Sequence, residues 1–527
     1  MKNYDVIVIG AGAGLEIVFK ALSAGLKVAL VDKGNVGGTC LNVGCVPSKM
    51  LIYRADRIRE IEEAKKLGIH AKIDHIDFSS IMERMKKAVK EGQNSIKKEI
   101  KNSKHLDFYN DEAHFIGEYV LEIKNEKIRG EKIFIVSGAR PLIPPTKGLD
   151  KIEYLTNENV LELKRRPESL IIIGGGYIAA EYGHFFSAIG TKVVIVGRNK
   201  RLIPNEEPEI SDLVKKELGK RMGIYTGTEV LEARRSRKGY AVFVKKKNTG
   251  EEKEIKAEKV MVAVGRVSNA DLLKVQNTGV ETTEAHYIKV NDYLQTTKKN
   301  IWALGDAIGR QMFTHAASKE VELAWHNATQ KRKMKMNFRI VPHAVFTQPQ
   351  IASVGLTEEQ ARKDYEILVG KTKYSDTVRG EAMMEEEGFA KAIVEKGTQR
   401  ILGFHMIGPE ASTLIQEVVN AMANEESVES ITPAACTYFP HCQNSYQIHS
   451  AILKGGCRLR LQARNRIHET RLVFAGAHIP FSTGPHGLGV APSSGQRRGS
   501  LGPANLSPGA AFAGRLRGSR GHPEWAA

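Results

Sequence analysis

Two cysteines separated by four residues, Cys40 and Cys45, lie in the run Gly37-Gly38-Thr39-Cys40-Leu41-Asn42-Val43-Gly44-Cys45-Val46-Pro47-Ser48-Lys49. On the first turns of a helix, that spacing lets the two sulfurs join as a disulfide. A helix N-terminus also lowers a thiol's pKa, so that the reactive thiolate is available. Zinc would require two more ligands at suitable spacing, and none is close in the sequence. The chain holds 5 cysteines in 527 residues, which is no disulfide framework. A cysteine pair in a reducing compartment points instead to redox chemistry or metal.

Two further segments have the form that binds dinucleotides. The first is a strand, Tyr4-Asp5-Val6-Ile7-Val8-Ile9, then Gly10-Ala11-Gly12-Ala13-Gly14, a helical pattern through Leu26, and a second strand that ends at Asp32. Such a glycine turn brings the backbone up to a pyrophosphate, and the helix N-terminus holds its charge. Asp32 is placed to accept hydrogen bonds from a ribose. Leu15 occupies the third glycine position, which weakens the reading of a close helix-to-strand contact there but leaves the phosphate turn intact. The second unit runs Leu170-Ile171-Ile172-Ile173, Gly174-Gly175-Gly176-Tyr177-Ile178-Ala179, a helix to Ile189, then Lys192-Val193-Val194-Ile195-Val196. No acid follows. Gly197-Arg198-Asn199-Lys200-Arg201 stands there, and clustered cations favour a 2′-phosphate, hence NADP(H) over NAD(H); a solvated basic loop is the alternative.

Together with Met261-Val262-Ala263-Val264-Gly265-Arg266, Gly305-Asp306, Val345-Phe346-Thr347-Gln348-Pro349 and Ser353-Val354-Gly355-Leu356, these motifs resemble the group I flavoprotein disulfide reductases. That family includes dihydrolipoyl dehydrogenase, glutathione reductase, mycothione reductase and mercuric reductase. The resemblance covers roughly residues 1–438 in order. It implies FAD held between a nicotinamide and the dithiol, with Cys45 facing the flavin and Cys40 exchanging with an external disulfide or dithiol. It places Tyr177 as the gate of the nicotinamide pocket and pairs Glu181 with Lys49 near the flavin N5. Asp306 is expected at the ribityl chain, Met312 to His315 beside the isoalloxazine, and Ala113 near the adenine half. Gly10, Gly12, Gly14, Asp32, Lys33, Gly38, Thr39, Lys49, Gly138, Gly174, Gly176, Ala179, Arg198, Arg201 and Gly265 complete the expected cofactor contacts; no metal site is expected. Dihydrolipoyl dehydrogenase, acting on a lipoyl substrate, is the first choice of activity. An NADPH-dependent reductase of a low-molecular-weight disulfide is the alternative, and the basic loop fits it better. Mercuric reduction ranks lower, because Cys436, Cys442 and Cys457 form no adjacent pair.

The C-terminal segment departs from the family. The resemblance calls for His-Pro-x-x-x-Glu, in which the His is the general acid/base and the Glu orients it. This chain reads Phe439-Pro440-His441-Cys442-Gln443-Asn444-Ser445-Tyr446, with no Glu. Read from the third base of each codon, Phe439 to Tyr446 can encode Pro-Thr-Leu-Ser-Glu-Leu. A shifted reading frame from about Phe439 is therefore expected; otherwise this is a genuine extension in which His441 is the local candidate for the base. With the segment missing, a flavin-binding protein impaired in disulfide exchange is a further reading.

The rest of the chain must position these groups. The expected class is α/β: two Rossmann-like FAD- and NAD(P)-binding domains, an α+β C-terminal dimerisation domain and a disordered tail. The boundaries are 1–145 and 263–335 for FAD, 146–262 for NAD(P), 336–439 for the interface and 440–527 for the tail. Charged helical segments are expected over 54–102. The net charge is +18, and about half of it lies beyond residue 439, where arginines sit among Gly, Pro and Ala. That distribution, with no aromatic interleaving, argues against nucleic-acid binding. No apolar run reaches the ~18 residues of a membrane span, and the start leaves no room for a signal peptide. A cytoplasmic homodimer is expected.

Overall fold

Short runs of β-branched residues bounded by glycine turns form the strands here. In the computed structural model, which describes residues 1–428, Lys2–Ile9 is central in a seven-stranded sheet. Val28–Val31 lies parallel on one side with Leu106–Tyr109 beyond it, and Glu126–Ile135 lies parallel on the other. Ile301–Ala303 adds to Glu126–Ile135, also parallel, so the first domain is built from two distant stretches of chain. Val6, Ile7, Val8 and Ile133 are fully buried, as expected for parallel strands covered on both faces.

The chain crosses to a second domain through Ala139–Pro141 and returns through Arg266–Ser268, and these two segments pair antiparallel. Between them lie four parallel strands in the order Gly223–Tyr225, Lys192–Val196, Ser169–Ile173, Lys259–Val262. The meander Thr228–Ser236, Gly239–Lys246, Glu252–Ala257 packs against them. A third domain is a five-stranded antiparallel sheet covered by the helix Ala411–Ala423. Among the described residues, no helix is long and apolar enough to cross a membrane.

The charged helical segments expected over 54–102 are two in the structure. Helices run Cys45–Glu63 and Phe78–Asn102, and Asp77 caps the second by accepting from the Ser80 amide at 3.0 Å. The close helix-to-strand contact that Leu15 left in question falls one residue earlier, at Gly14. A Cβ on Gly14 would sit 2.8 Å from Val8 Cγ1, whereas Leu15 simply joins the core.

Candidate active site

The dithiol does not lie on one helix. Gly38–Val43 and Cys45–Glu63 are separate helices, and Gly44 breaks them with φ −127° and ψ −116°. A Cβ there would lie 2.8 Å from the Thr39 carbonyl oxygen, so only glycine lets the chain turn this closely. The break puts Cys45 at the first position of its own helix, where unsatisfied N–H groups favour an anion. Both cysteines are free thiols and hydrogen-bond to each other. The Cys40 S–H donates to the Cys45 sulfur, and this holds the Cys45 pKa down to about 6 against the opposing effect of burial. The Thr314 hydroxyl, 3.4 Å from Cys45 Sγ, and the charge of Lys49 pull in the same direction. Cys40 is pushed up, by its bond to Cys45 and then by burial. Thus Cys45 carries the thiolate and Cys40 the proton.

Replacing Thr314 by Val removes one of these donors. The Cys45 pKa is expected to rise by on the order of half a unit, read from the pH dependence of iodoacetamide alkylation in the reduced protein.

Behind the dithiol, Lys49 Nζ lies 2.8 Å from both carboxylate oxygens of Glu181. Lys49 is one helical turn past Cys45, and Glu181 is on Tyr177–Ala188, the helix that opens the second dinucleotide unit. The Phe346 amide donates to Glu181 at 3.0 Å, and the Phe346 ring faces the Lys49 ammonium at 4.6 Å. Three domains therefore meet at one ion pair. Tyr177 begins its helix with its ring 5.9 Å from that of Phe313, whose neighbour Thr314 touches Cys45. Phe313 stacks in turn on His315 and His343.

Both glycine turns are shaped for a pyrophosphate. Gly10 has φ +117°, and a Cβ there would meet the Val136 carbonyl oxygen at 2.1 Å; a Cβ on Gly38 would lie 2.6 Å from Gly12 Cα. Asp32 accepts from the Ala11 amide at 2.6 Å and from Gly34 at 2.7 Å, which fixes the turn. In the second unit a Cβ on Gly174, at φ +139°, would meet the Ala263 carbonyl oxygen at 2.1 Å, and Gly176 caps the helix. Neither place tolerates a larger residue.

Comparison with known proteins agrees. The family model "Pyridine nucleotide-disulphide oxidoreductase" matches residues 4–321, and its dimerisation domain matches 341–449. The chain belongs to this family. Mycothione reductase of Mycobacterium tuberculosis is 34% identical over 435 residues, 80% of this chain and 93% of that protein. Mercuric reductase of Staphylococcus aureus is 32% identical, over 83% of this chain and 80% of that one. Dihydrolipoyl dehydrogenase of Bacillus subtilis is 30% identical, over 86% and 98%. Among solved structures, the HOCl-induced flavoprotein disulfide reductase RclA from Escherichia coli superposes with a TM-score of 0.75 at 28% identity, covering 85% of this chain and 99% of that one.

The pyridine nucleotide-disulphide oxidoreductases use FAD and NAD(P)H, and the glycine cradles fit both. Of the other expected contacts, Asp306 lies near Arg266, 3.5 Å from its Nε, with its pKa pushed up by burial. Lys33 pairs with Glu112 at the surface, and Ala113 begins a strand at the edge of the first core. Thr39 follows Gly38 on the short helix, Met312 is half-buried before Phe313, and Gly138 and Gly265, both at positive φ, flank the crossing strands. Ala179, on the helix Tyr177–Ala188, is fully buried in the core, so any contact it makes with a ligand is through its backbone. His441 and the expected change of frame lie outside the described residues. The sequence reading did not single out Phe346 or Thr314 as contacts of the ion pair and the thiolate, although each lay within a stretch already marked.

Proposed function

We propose that this flavoprotein disulfide reductase is an NADPH-dependent reductase of a small disulfide, acting as a homodimer in the cytoplasm. The observation that carries the nicotinamide choice is the loop after Lys192–Val196. Its Gly197 lies against Gly175 of the glycine turn, and the Ile203 amide donates to the Gly175 carbonyl at 2.6 Å, which clasps residues 197–203 to the phosphate-binding turn. Arg198 and Lys200 are exposed on that loop, while Arg201 is drawn to Asp212 at 3.2 Å. Two cations thus stand where a ribose-reading acid is absent.

Bound FAD supplies the two-electron relay between nicotinamide and dithiol. The chain's own part is the thiol chemistry. Cys40, once deprotonated, attacks the substrate disulfide and releases one thiol. Cys45, already a thiolate, then attacks the Cys40 sulfur, releases the second thiol and closes the Cys40–Cys45 disulfide. Lys49 and Glu181 are proposed to sit at the reduced face, where the ammonium favours the anionic form beside it, and Tyr177 to cover the nicotinamide pocket. Only where the chain beyond Phe439 is a genuine extension is His441 proposed as the proton acceptor for Cys40; the dimerisation-domain match runs to residue 449. That same match supports the homodimer.

Changing Arg198 and Lys200 together to Glu is expected to lower kcat/KM for NADPH by about 10–100-fold and leave that for NADH nearly unchanged. Steady-state assays with both nucleotides and a panel of small disulfides test the whole reading. Faster oxidation of dihydrolipoamide by NAD than reduction of any small disulfide by NADPH would replace it with the lipoyl dehydrogenase activity.

A further inference from the structure

Two helices meet behind the dithiol, Cys45–Glu63 and Tyr177–Ala188. Lys49 and Asp56 lie two turns apart on the first, Glu181 and His184 one turn apart on the second, so each helix offers two polar groups to the other. They pair as two rungs. One is Lys49–Glu181. In the other, His184 Nε2 lies 3.0 Å from Asp56 Oδ1, with His184 fully buried. His184 Nδ1 faces Arg221 Nη1 at 3.2 Å. A guanidinium only donates, so Nδ1 accepts, the ring is neutral, and its single proton sits on Nε2 aimed at Asp56. Burial favours the same neutral form. Arg221 also donates Nη2 to the Gln348 carbonyl at 3.1 Å. Two residues earlier is Phe346, whose amide and ring contact the Glu181–Lys49 pair. The second rung therefore grips the segment that touches the first.

We propose that His184 is a positioning residue: through Asp56 and Arg221 it sets the register between the redox helix, the nucleotide-domain helix and residues 346–348, and thereby places the Lys49–Glu181 pair beside Cys45. Apolar packing is non-directional and tolerates small sliding motions. Two aimed hydrogen bonds on one buried ring do not. The proposal rests on the reading that Lys49 and Glu181 act at the reacting centre.

The test uses the full-length holoenzyme with His184→Leu, His184→Gln and Lys49→Met. Glutamine can keep both contacts, its amide donating to Asp56 and its carbonyl accepting from Arg221. His184→Leu is expected to lower kcat with NADPH about tenfold while KM moves less than about twofold. The pH midpoint of Cys45 alkylation by iodoacetamide should also move up, because the Lys49 charge that helps hold it down outweighs the opposing Glu181. His184→Gln should restore both. A His184→Leu protein that melts lower but keeps its kcat and Cys45 midpoint overturns the proposal, as does a Gln variant as impaired as Leu. Wild-type turnover by Lys49→Met sinks the underlying reading of the ion pair, and the proposal with it. A slow Lys49→Met beside an unaffected His184→Leu sinks the positioning role alone. If His184→Leu does not fold, Asp56→Ala at the partly exposed end of the rung is expected to shift both readouts in the same direction, and no shift there overturns the proposal.

Discussion

Cys45→Ser is expected to abolish disulfide turnover, lowering kcat by on the order of 10⁴-fold, with the fold intact. Cys45 has an accessible side chain at the head of its helix and packs no core, although neighbouring atoms partly desolvate its sulfur, so its loss removes chemistry and little stability. Cys40→Ser should be equally inactive, since the internal disulfide can no longer close. The two variants separate in their remaining thiol. With serine at 40, a hydroxyl can still donate to the Cys45 sulfur, Thr314 and Lys49 remain, and alkylation should still begin near pH 6, the value to which these groups hold it. With serine at 45, the remaining Cys40 sits half-buried, and burial opposes its charge; its alkylation should begin well above pH 8. Rates of iodoacetamide modification across pH, with disulfide turnover measured in parallel, check both. Equal alkylation midpoints in the two variants would remove the assignment of Cys45 as the thiolate.

The contrast between the two thiols marks how far the sequence could be read. Both glycine turns and the Cys-x4-Cys run are visible in the chain because their chemistry demands local spacing: backbone must approach phosphate, and two sulfurs must reach each other. What tunes the pair comes from elsewhere. Thr314 is 269 residues from Cys45, and the Phe346 amide is 165 residues from Glu181; no period or spacing connects them. Gly44 was in plain view, yet a glycine between two cysteines reads as readily as one residue of a continuous helix. Only the 2.8 Å approach to Thr39 shows that it must break. Similarly, Leu15 in place of a third glycine looked like a defect until Gly14 was found to carry the close helix-to-strand contact.

The seam between the second and third domains should be the most sensitive point of stability. Lys391, 4% exposed on Phe389–Glu395, reaches Glu207 at 2.8 Å, Glu358 at 2.6 Å and Glu209 at 3.2 Å. Glu207 is itself buried, and its other oxygen accepts from the Glu358 amide. Lys391→Met leaves the buried Glu207 without a cation, while Glu209 keeps Lys371 and Glu358 keeps Arg362; the loss is expected to cost about 3 kcal/mol, read as a fall in the urea midpoint. Adding Glu207→Gln to that variant should recover part of the loss.

The pH dependence follows from the same charges. In the wild type the hydrogen bond from Lys391 holds Glu358 below its ordinary 4.5, so this contribution is present above pH 4.5 and is lost as the pH falls through the depressed value. Lys391 is raised above its ordinary 10.5, because its carboxylates outweigh burial, and its contribution is lost only as pH rises through that higher value. In the Met variant, like charges push the carboxylate pKa values up, so protonation on mild acidification relieves the seam. The stability gap between wild type and Lys391→Met should therefore narrow as the pH falls from about 7 to about 4; a gap constant over that range would show that Lys391 acts by packing its methylenes rather than by its charge.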